Sequence, residues 1–441
     1  MNNRFGSGAI ALLTASIVVA SSLSVANASA TSARGGPHFR RVAASTAGAV
    51  YVKKLPAPHD ARAGLHPFRP VRALSHAPRP ASVPVVAAAG IASGTSVATA
   101  STEQVLTGFT GVTLSQQVAA LGNDQAVTPP DPQIAAGPES LLEMVNSSGT
   151  VWTKSGSLVT IFDLNAFFQV PSGYTFSDPR VLYDGLSGRW FASGVAFVAP
   201  TYGSVLVFAV SVTSDPSGAW KIYSADNNAN VTHDQPKIGV STDKFAISFN
   251  DFLNAALFQG ASTWVFGKAA MLQGLSSIPG EAIGPDSSRV SIVPAIELSA
   301  TATEYMTYNN SDCGYSGCNA GYPSVGLVSL TGDASNGTLA WSEADPGIAG
   351  TSQPPAADQP GDACLPPGDT AVRPCPRLIQ LSTAGAVVNQ NFDLGATGRD
   401  LYYPAVHMDS AGDMYLVYNI SSTSDDVGVR ITGQPAGSAA Q

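Results

Sequence analysis

Histidine and cysteine are scarce in this chain, six and four among 441 residues, and charged side chains make up only 12% of it. Beyond residue 105 only His233 and His407 remain, and no Gly-x-Ser-x-Gly elbow accompanies them, which argues against a serine hydrolase. Neither a phosphate-cradling loop nor a dinucleotide-binding glycine fingerprint occurs. No compact Asp-x-Asp-x-Asp-Gly calcium loop is present either. Apolar residues rarely recur at helical spacing, and after the first thirty residues no apolar run is long enough to span a bilayer. What remains is Gly, Pro, Ser, Asn and Asp punctuating short β-type runs, the texture of an all-β fold.

The amino terminus carries one early charge, Arg4, then an apolar stretch from Ala9 to about Val25 that ends in small residues with Ala-x-Ala sites at Ala26–Ala28 and Ala28–Ala30. This pattern predicts a signal peptide over residues 1–30, cleavage, and a secreted, extracellular protein with no membrane span after cleavage. An oxidising compartment would pair Cys313, Cys318, Cys364 and Cys375 into two disulfides. Of the three connectivities, the local pairs Cys313–Cys318 and Cys364–Cys375 close the shortest loops. A zinc site is the alternative, but no histidine lies near these cysteines in sequence.

Charge divides the chain. Residues 31–105 carry nine Lys/Arg against Asp60 and Glu103, four of the six histidines, and many Pro, Ala and Ser. Too few periodic apolar residues lie there to bury a core, so residues 31–102 are expected to form a disordered or extended basic linker, a spacer or a removed pro-segment. Residues 106–441 carry twelve Lys/Arg against 29 Asp/Glu, a net charge of −17. Such an acidic surface repels phosphates and excludes nucleic acid as a partner.

A phrase repeats along the acidic region. "DPQIAAGPESLLEMVNSS" begins at Asp131, "SDPRVLYDGLSGRWFASGV" at Ser177, "DQPKIGVSTDKFAISFND" at Asp234, "VPAIELSATATEYMTYNN" at Val293 and "YPAVHMDSAGDMYLVYNI" at Tyr403. Each is a proline, a β-type run, a turn and a second run. The prolines at 132, 179, 236, 294 and 404 are spaced by 47, 57, 58 and 110 residues, so one degenerate copy falls near residues 345–400. Six units of roughly fifty residues over 103–441 predict a β-propeller of six four-stranded blades, with a β-sandwich as the competing arrangement. The expected blades are about 125–175, 176–229, 230–290, 291–345, 346–400 and 401–441. The last is short, and "EQVLTGFTGVTL", residues 103–114, is expected to supply its outer strand and close the ring. Asp184 with Gly188, and Asp409 with Gly412, fit the turn after the first strand, the carboxylate capping turn amides.

On "SDPRVLYDGLSGRWF" above all, the region from about 125 to 435 resembles the sialidase-like, six-bladed propeller superfamily. The resemblance implies the fold and leaves the activity uncharacterised. Sialidases carry a Ser-x-Asp-x-Gly-x-x-Trp box between their third and fourth strands, whereas the Asp/Gly turn here follows the first. Sialidase chemistry also needs an arginine cluster with a Tyr–Glu pair, for which Arg180, Arg377, Arg399, Tyr403 and Glu304 are the candidates.

Ligands of propellers bind where the inner strands begin. The repeat heads place Asp131, Asp178, Arg180, His233, Asp234, Lys237, Asp400 and Tyr403 as candidate axial ligand-binding residues. A carboxylate ring could hold calcium, although turn capping accounts for each Asp singly, and no metal or other cofactor is expected. His407, alternating with apolar neighbours, reads as a packed strand histidine. The expected protein is a monomeric secreted binding module for an extracellular glycan, wall polymer or protein. The alternative is a glycoside hydrolase whose two carboxylates stand about 5–9 Å apart.

Overall fold

A computed structural model describes residues 37–55, 108–122, 130–310, 324–348, 374–396, 398–409 and 411–435, together with residue 357. The signal peptide, most of the linker and Cys313, Cys318 and Cys364 lie outside the described residues.

The chain begins with strand β1 (Phe39–Tyr51) and a short helix α1 (Leu114–Leu121). Strands β2 (Gln133–Ala136), β3 (Ser140–Val145), β4 (Ser148–Thr153) and β5 (Leu158–Asp163) then form a four-stranded antiparallel sheet in sequence order, followed by the helical turn α2 (Leu164–Phe167). The second unit is β6 (Thr175–Asp184), β7 (Arg189–Val198), β8 (Gly203–Ser211) and β9 (Ala219–Asn228). The third is β10 (Val231–Val240), β11 (Lys244–Leu253), β12 (Leu257–Gly267), α3 (Lys268–Gln273) and β13 (Ser277–Asp286). The fourth unit comprises β14 (Val293–Pro294), β15 (Glu304–Asn310), β16 (Ser324–Thr331) and β17 (Ala340–Ala344). The last two are β18 (Arg377–Ser382) with β19 (Val387–Asp393), and β20 (Asp400–Met408), β21 (Met414–Ser421) and β22 (Gly428–Gln434). All named strand pairs are antiparallel, so the protein is all-β, with helix confined to short connections.

Core lies between successive sheets. Phe191 of β7 and Phe208 of β8 stack on Phe245 of β11, with ring centroids 5.7 and 5.3 Å apart. Trp190 and Trp220 pack with Leu142, Phe162 and Phe167 of the first unit, and Met306 and Val328 of the fourth with Val265 and Ile283 of the third. Leu378, Leu401, Leu416 and Tyr418 join the last two units. Being covered on both faces explains why "GSVLVFAVS" of β8 is buried at every residue and nearly continuously apolar. At the turn after β6, Asp184 accepts the Leu186 and Ser187 amides and Gly188 takes a φ of 66°, as its Asp-Gly spacing predicts.

Two expectations fail here. Residues 39–51, read as linker, form β1, which pairs with β13 on one edge and β9 on the other and fuses the second and third units into a nine-stranded sheet. Backbone pairing on both edges, not apolar content, fixes this strand: Ala44 and Val50 are its buried apolar residues, with Val52 just beyond. The cation of Arg40 lies 4.9 Å from the Trp264 ring centroid, and Arg41 bonds the Ser335 and Asn336 carbonyls. Of the segment 103–114, residues 103–107 lie outside the described residues, residues 108–113 form no strand, and Leu114 starts α1. Thr113 and Gln116 make a capping box there, and the segment packs on the first unit through Val112 N–H to Glu143 and Phe109 against Trp152.

Candidate functional site at the repeat heads

Asp131, Asp178, Gln235 and Tyr403 each precede a proline and each hold a left-handed φ, between 45° and 54°. Non-glycine residues seldom adopt this conformation, and its recurrence marks a built feature. In β6 the pairing shifts between Ser177 and Arg180, in β10 between Asp234 and Lys237, and in β20 between Tyr402 and Ala405. The left-handed residue and its proline are therefore the extra pair of a bulge in the first strand. The proline costs no ladder bond there, and the bulge re-aims the flanking side chains. In β6, β10 and β20 the proline is thus inside the strand, whereas Pro132 directly precedes β2.

Three head amides are received by the preceding unit. Asn146 Oδ1 accepts Asp178 N–H at 2.9 Å, Asp178 Oδ2 accepts Gln235 N–H at 3.0 Å, and Asn250 Oδ1 accepts Ser291 N–H at 2.9 Å, Ser291 again having a positive φ of 53°. Asn146 also donates to Asp131 Oδ2 at 2.8 Å. Arg180 is spent on the same scaffold: Nε bonds the Pro236 carbonyl at 2.9 Å and Nη1 the Gln133 side chain at 3.0 Å.

Asp131, Asp178, Arg180, Asp234 and Lys237 thus share one electrostatic neighbourhood spanning three units. Burial, reinforced by Asp178, raises the Asp234 carboxyl to about 6 against the attraction of Lys237. Burial and then Arg180 bring the Lys237 ammonium down to about 8, while Asp234 and Asp178 oppose the shift. Asp131 is likewise raised by burial, and Arg180 is lowered by it. Lys237 Nζ reaches the Gln235 carbonyl at 3.1 Å.

The other expected site residues lie elsewhere. His233 is buried, with Nδ1 2.6 Å from Asp251 Oδ1 and its ring on Phe249, so it braces β10 against β11. Asp400 is buried at the start of β20, whereas Tyr403 is 82% exposed. His407 is exposed in β20, not packed. The arginines of a sialidase-type clamp are dispersed into local ion pairs, Arg377 with Asp393 and Arg399 with Asp425. Glu304 is fully buried at the start of β15, near Lys244 and Lys268, and burial followed by Glu297 raises its carboxyl well above the usual range. Among the described residues no three His, Cys, Asp or Glu side chains are grouped to hold a metal ion. Sequence reasoning missed Asn146, Asn250 and Gln235. The signal was present, since four of the five quoted phrases carry an asparagine at or near their ends.

No family model matches the chain, and no curated protein does. Among solved structures the chain is similar to a Hadza microbial sialidase, at 13% identity and a TM-score of 0.42 over 71% of this chain and 67% of that one. It is also similar to an endo-arabinanase from Bacillus licheniformis, at 10% identity and 0.33 over 69% and 92%. A third similar structure is an exo-beta-1,3-galactanase from Clostridium thermocellum, at 10% and 0.34 over 70% and 59%.

Proposed function

We propose that the protein is a secreted six-bladed β-propeller that binds an extracellular carbohydrate at the repeat heads and does not cleave it. The observation carrying this reading is the division of labour among the head side chains. Asp131, Asp178 and Arg180 are tied to asparagine, amide and carbonyl partners of neighbouring units, which fixes their geometry and leaves little freedom for proton transfer or substrate clamping. Asp234 and Lys237 are the pair left to meet a ligand, one acceptor and one donor on a rigid strand, the arrangement that recognises hydroxyls of a neutral sugar. The glycosidase reading would need Asp234 as an acid near pH 6 with a second, uncommitted carboxylate across the mouth.

Calorimetric titration of the secreted chain with soluble oligosaccharides is expected to show binding that weakens at least about tenfold in Asp234→Asn and Lys237→Met, with no sugar released. Turnover abolished by Asp234→Asn would overturn the binding reading in favour of hydrolysis.

The Asp234 carboxyl also sets a pH dependence of stability. In the fold it keeps its proton to about pH 6, whereas an ordinary Asp titrates near 3.8. Folding therefore takes up a proton between these values, and its contribution favours the folded state below about pH 4 and is lost as pH rises to 6. Denaturant melts at pH 4, 5, 6 and 7 are expected to show this loss in the wild type and a flatter profile in Asp234→Asn.

We further propose two disulfides. Cys375, the cysteine among the described residues, is unpaired there. Non-reducing peptide mapping of the secreted protein is expected to recover Cys313 with Cys318 and Cys364 with Cys375; four alkylated thiols would refute it.

A further inference from the structure

A cavity lies away from the repeat heads, where the third and fourth units meet the start of β1. It encloses about 320 Å³, within the range of small-ligand pockets. Ile283, Ile292 and the Trp341 ring supply its apolar wall, Arg289 and Asp286 its polar one, and Pro37 and His38, ahead of β1, border it.

Arg289 is the unusual member. It is 4% exposed, and its Nη1 and Nη2 pair with Asp286 and Glu343, yet its buried Nε–H has no hydrogen-bond partner. A buried donor left without an acceptor gives up its hydration with nothing in return, so it calls for an explanation. Glu343 also accepts the Trp341 indole N–H at 2.9 Å and the Tyr308 hydroxyl, which locks both rings around the guanidinium. Hydrogen bonds and Arg289 keep the Glu343 carboxyl ionised, lowered below its ordinary range against the effect of burial. Asp286 on the wall and Glu343 bonded to Arg289 together outweigh the guanidinium, so Arg289 offers no spare positive charge to an anion.

We infer that this cavity is a second ligand site, specific for a neutral, polyhydroxylated ring of monosaccharide size. The ring's apolar C–H face lies on Trp341, and one of its oxygens accepts the Arg289 Nε–H. Aromatic surface, one fixed donor and no net positive charge are the features that select such a ligand over an anionic one. Because Pro37 and His38 complete the rim, the site exists only while β1 is seated.

Saturation-transfer NMR on the full secreted chain with neutral methyl glycosides, and a methyl sialoside as the anionic control, tests this. In the Asp234→Asn, Lys237→Met background, which removes the repeat-head pair, a neutral glycoside is expected to receive transfer, with affinity falling at least about tenfold when Trp341→Ala is added. Ser287→Trp, at an exposed rim position, is expected to block the cavity without touching the core, and serves if Trp341→Ala does not fold. In that background, no transfer to any neutral glycoside, preference for the sialoside, or binding that survives both Trp341→Ala and Ser287→Trp would overturn the proposal. Transfer seen in the wild type but absent from that background would overturn it as well and assign binding to the repeat heads.

Discussion

Replacing Lys268 by Met is expected to lower the free energy of unfolding by about 3–5 kcal/mol, the usual cost of removing one partner of a buried ion pair. Lys268 Nζ lies 2.6 Å from Asp184 Oδ2, with side-chain exposures of 2% and 0%, and also donates to the Ser241 carbonyl at 2.6 Å. The lysine, leaving β12, thereby joins the turn after β6 to the turn after β10. Methionine fills a similar volume, so the packing against Phe191 survives while Asp184 loses its cation. Asp184 would still accept the Leu186 and Ser187 amides, which separates the loss of the ion pair from loss of the turn. Chemical denaturation of the variant is the measurement, and a change below about 1 kcal/mol would mean that water reaches the pair.

Deleting residues 37–55 is expected to destabilise the protein and to make it associate. Burial of Ala44, Val50 and Val52 is lost, on the order of 3–5 kcal/mol. Two facing strand edges, those of β9 and β13, lose their hydrogen-bond partners at the same time. Unpaired edges of this kind recruit other strands, so size-exclusion chromatography should show concentration-dependent oligomers alongside a lower melting temperature. A monodisperse protein melting as before would show that β1 pairs without supporting the fold.

The two halves of the chain differ in how openly they announced their structure. Strands β6 to β9 were legible because apolar runs end at "GLSG" and similar turns, and because sheets covered on both faces demand continuous apolarity. Strand β1 was hidden because "FRRVAASTAGAVY" has neither a continuous apolar run nor strict alternation; its stability comes from partners more than 160 residues away. At the site, the eye went to charged residues. In the third unit that gave Asp234 as the counterpart of Asp178, whereas the residue in the equivalent left-handed position is Gln235, directly before the proline. Backbone geometry, not charge, is what the repeat preserves, and the asparagines that serve it carry no charge to attract notice.

The chain of bulge amides has a direction. Three of the head amides are received by the unit before them, from Asn146 to Asp178, from Asp178 to Gln235 and from Asn250 to Ser291. A single repeat cut from the protein would consequently carry an acceptor with nothing to receive and a head amide with nothing to receive it. For anyone transplanting or shuffling these repeats, the natural module boundary falls inside a unit, after the acceptor on one sheet and the head of the next have both been included.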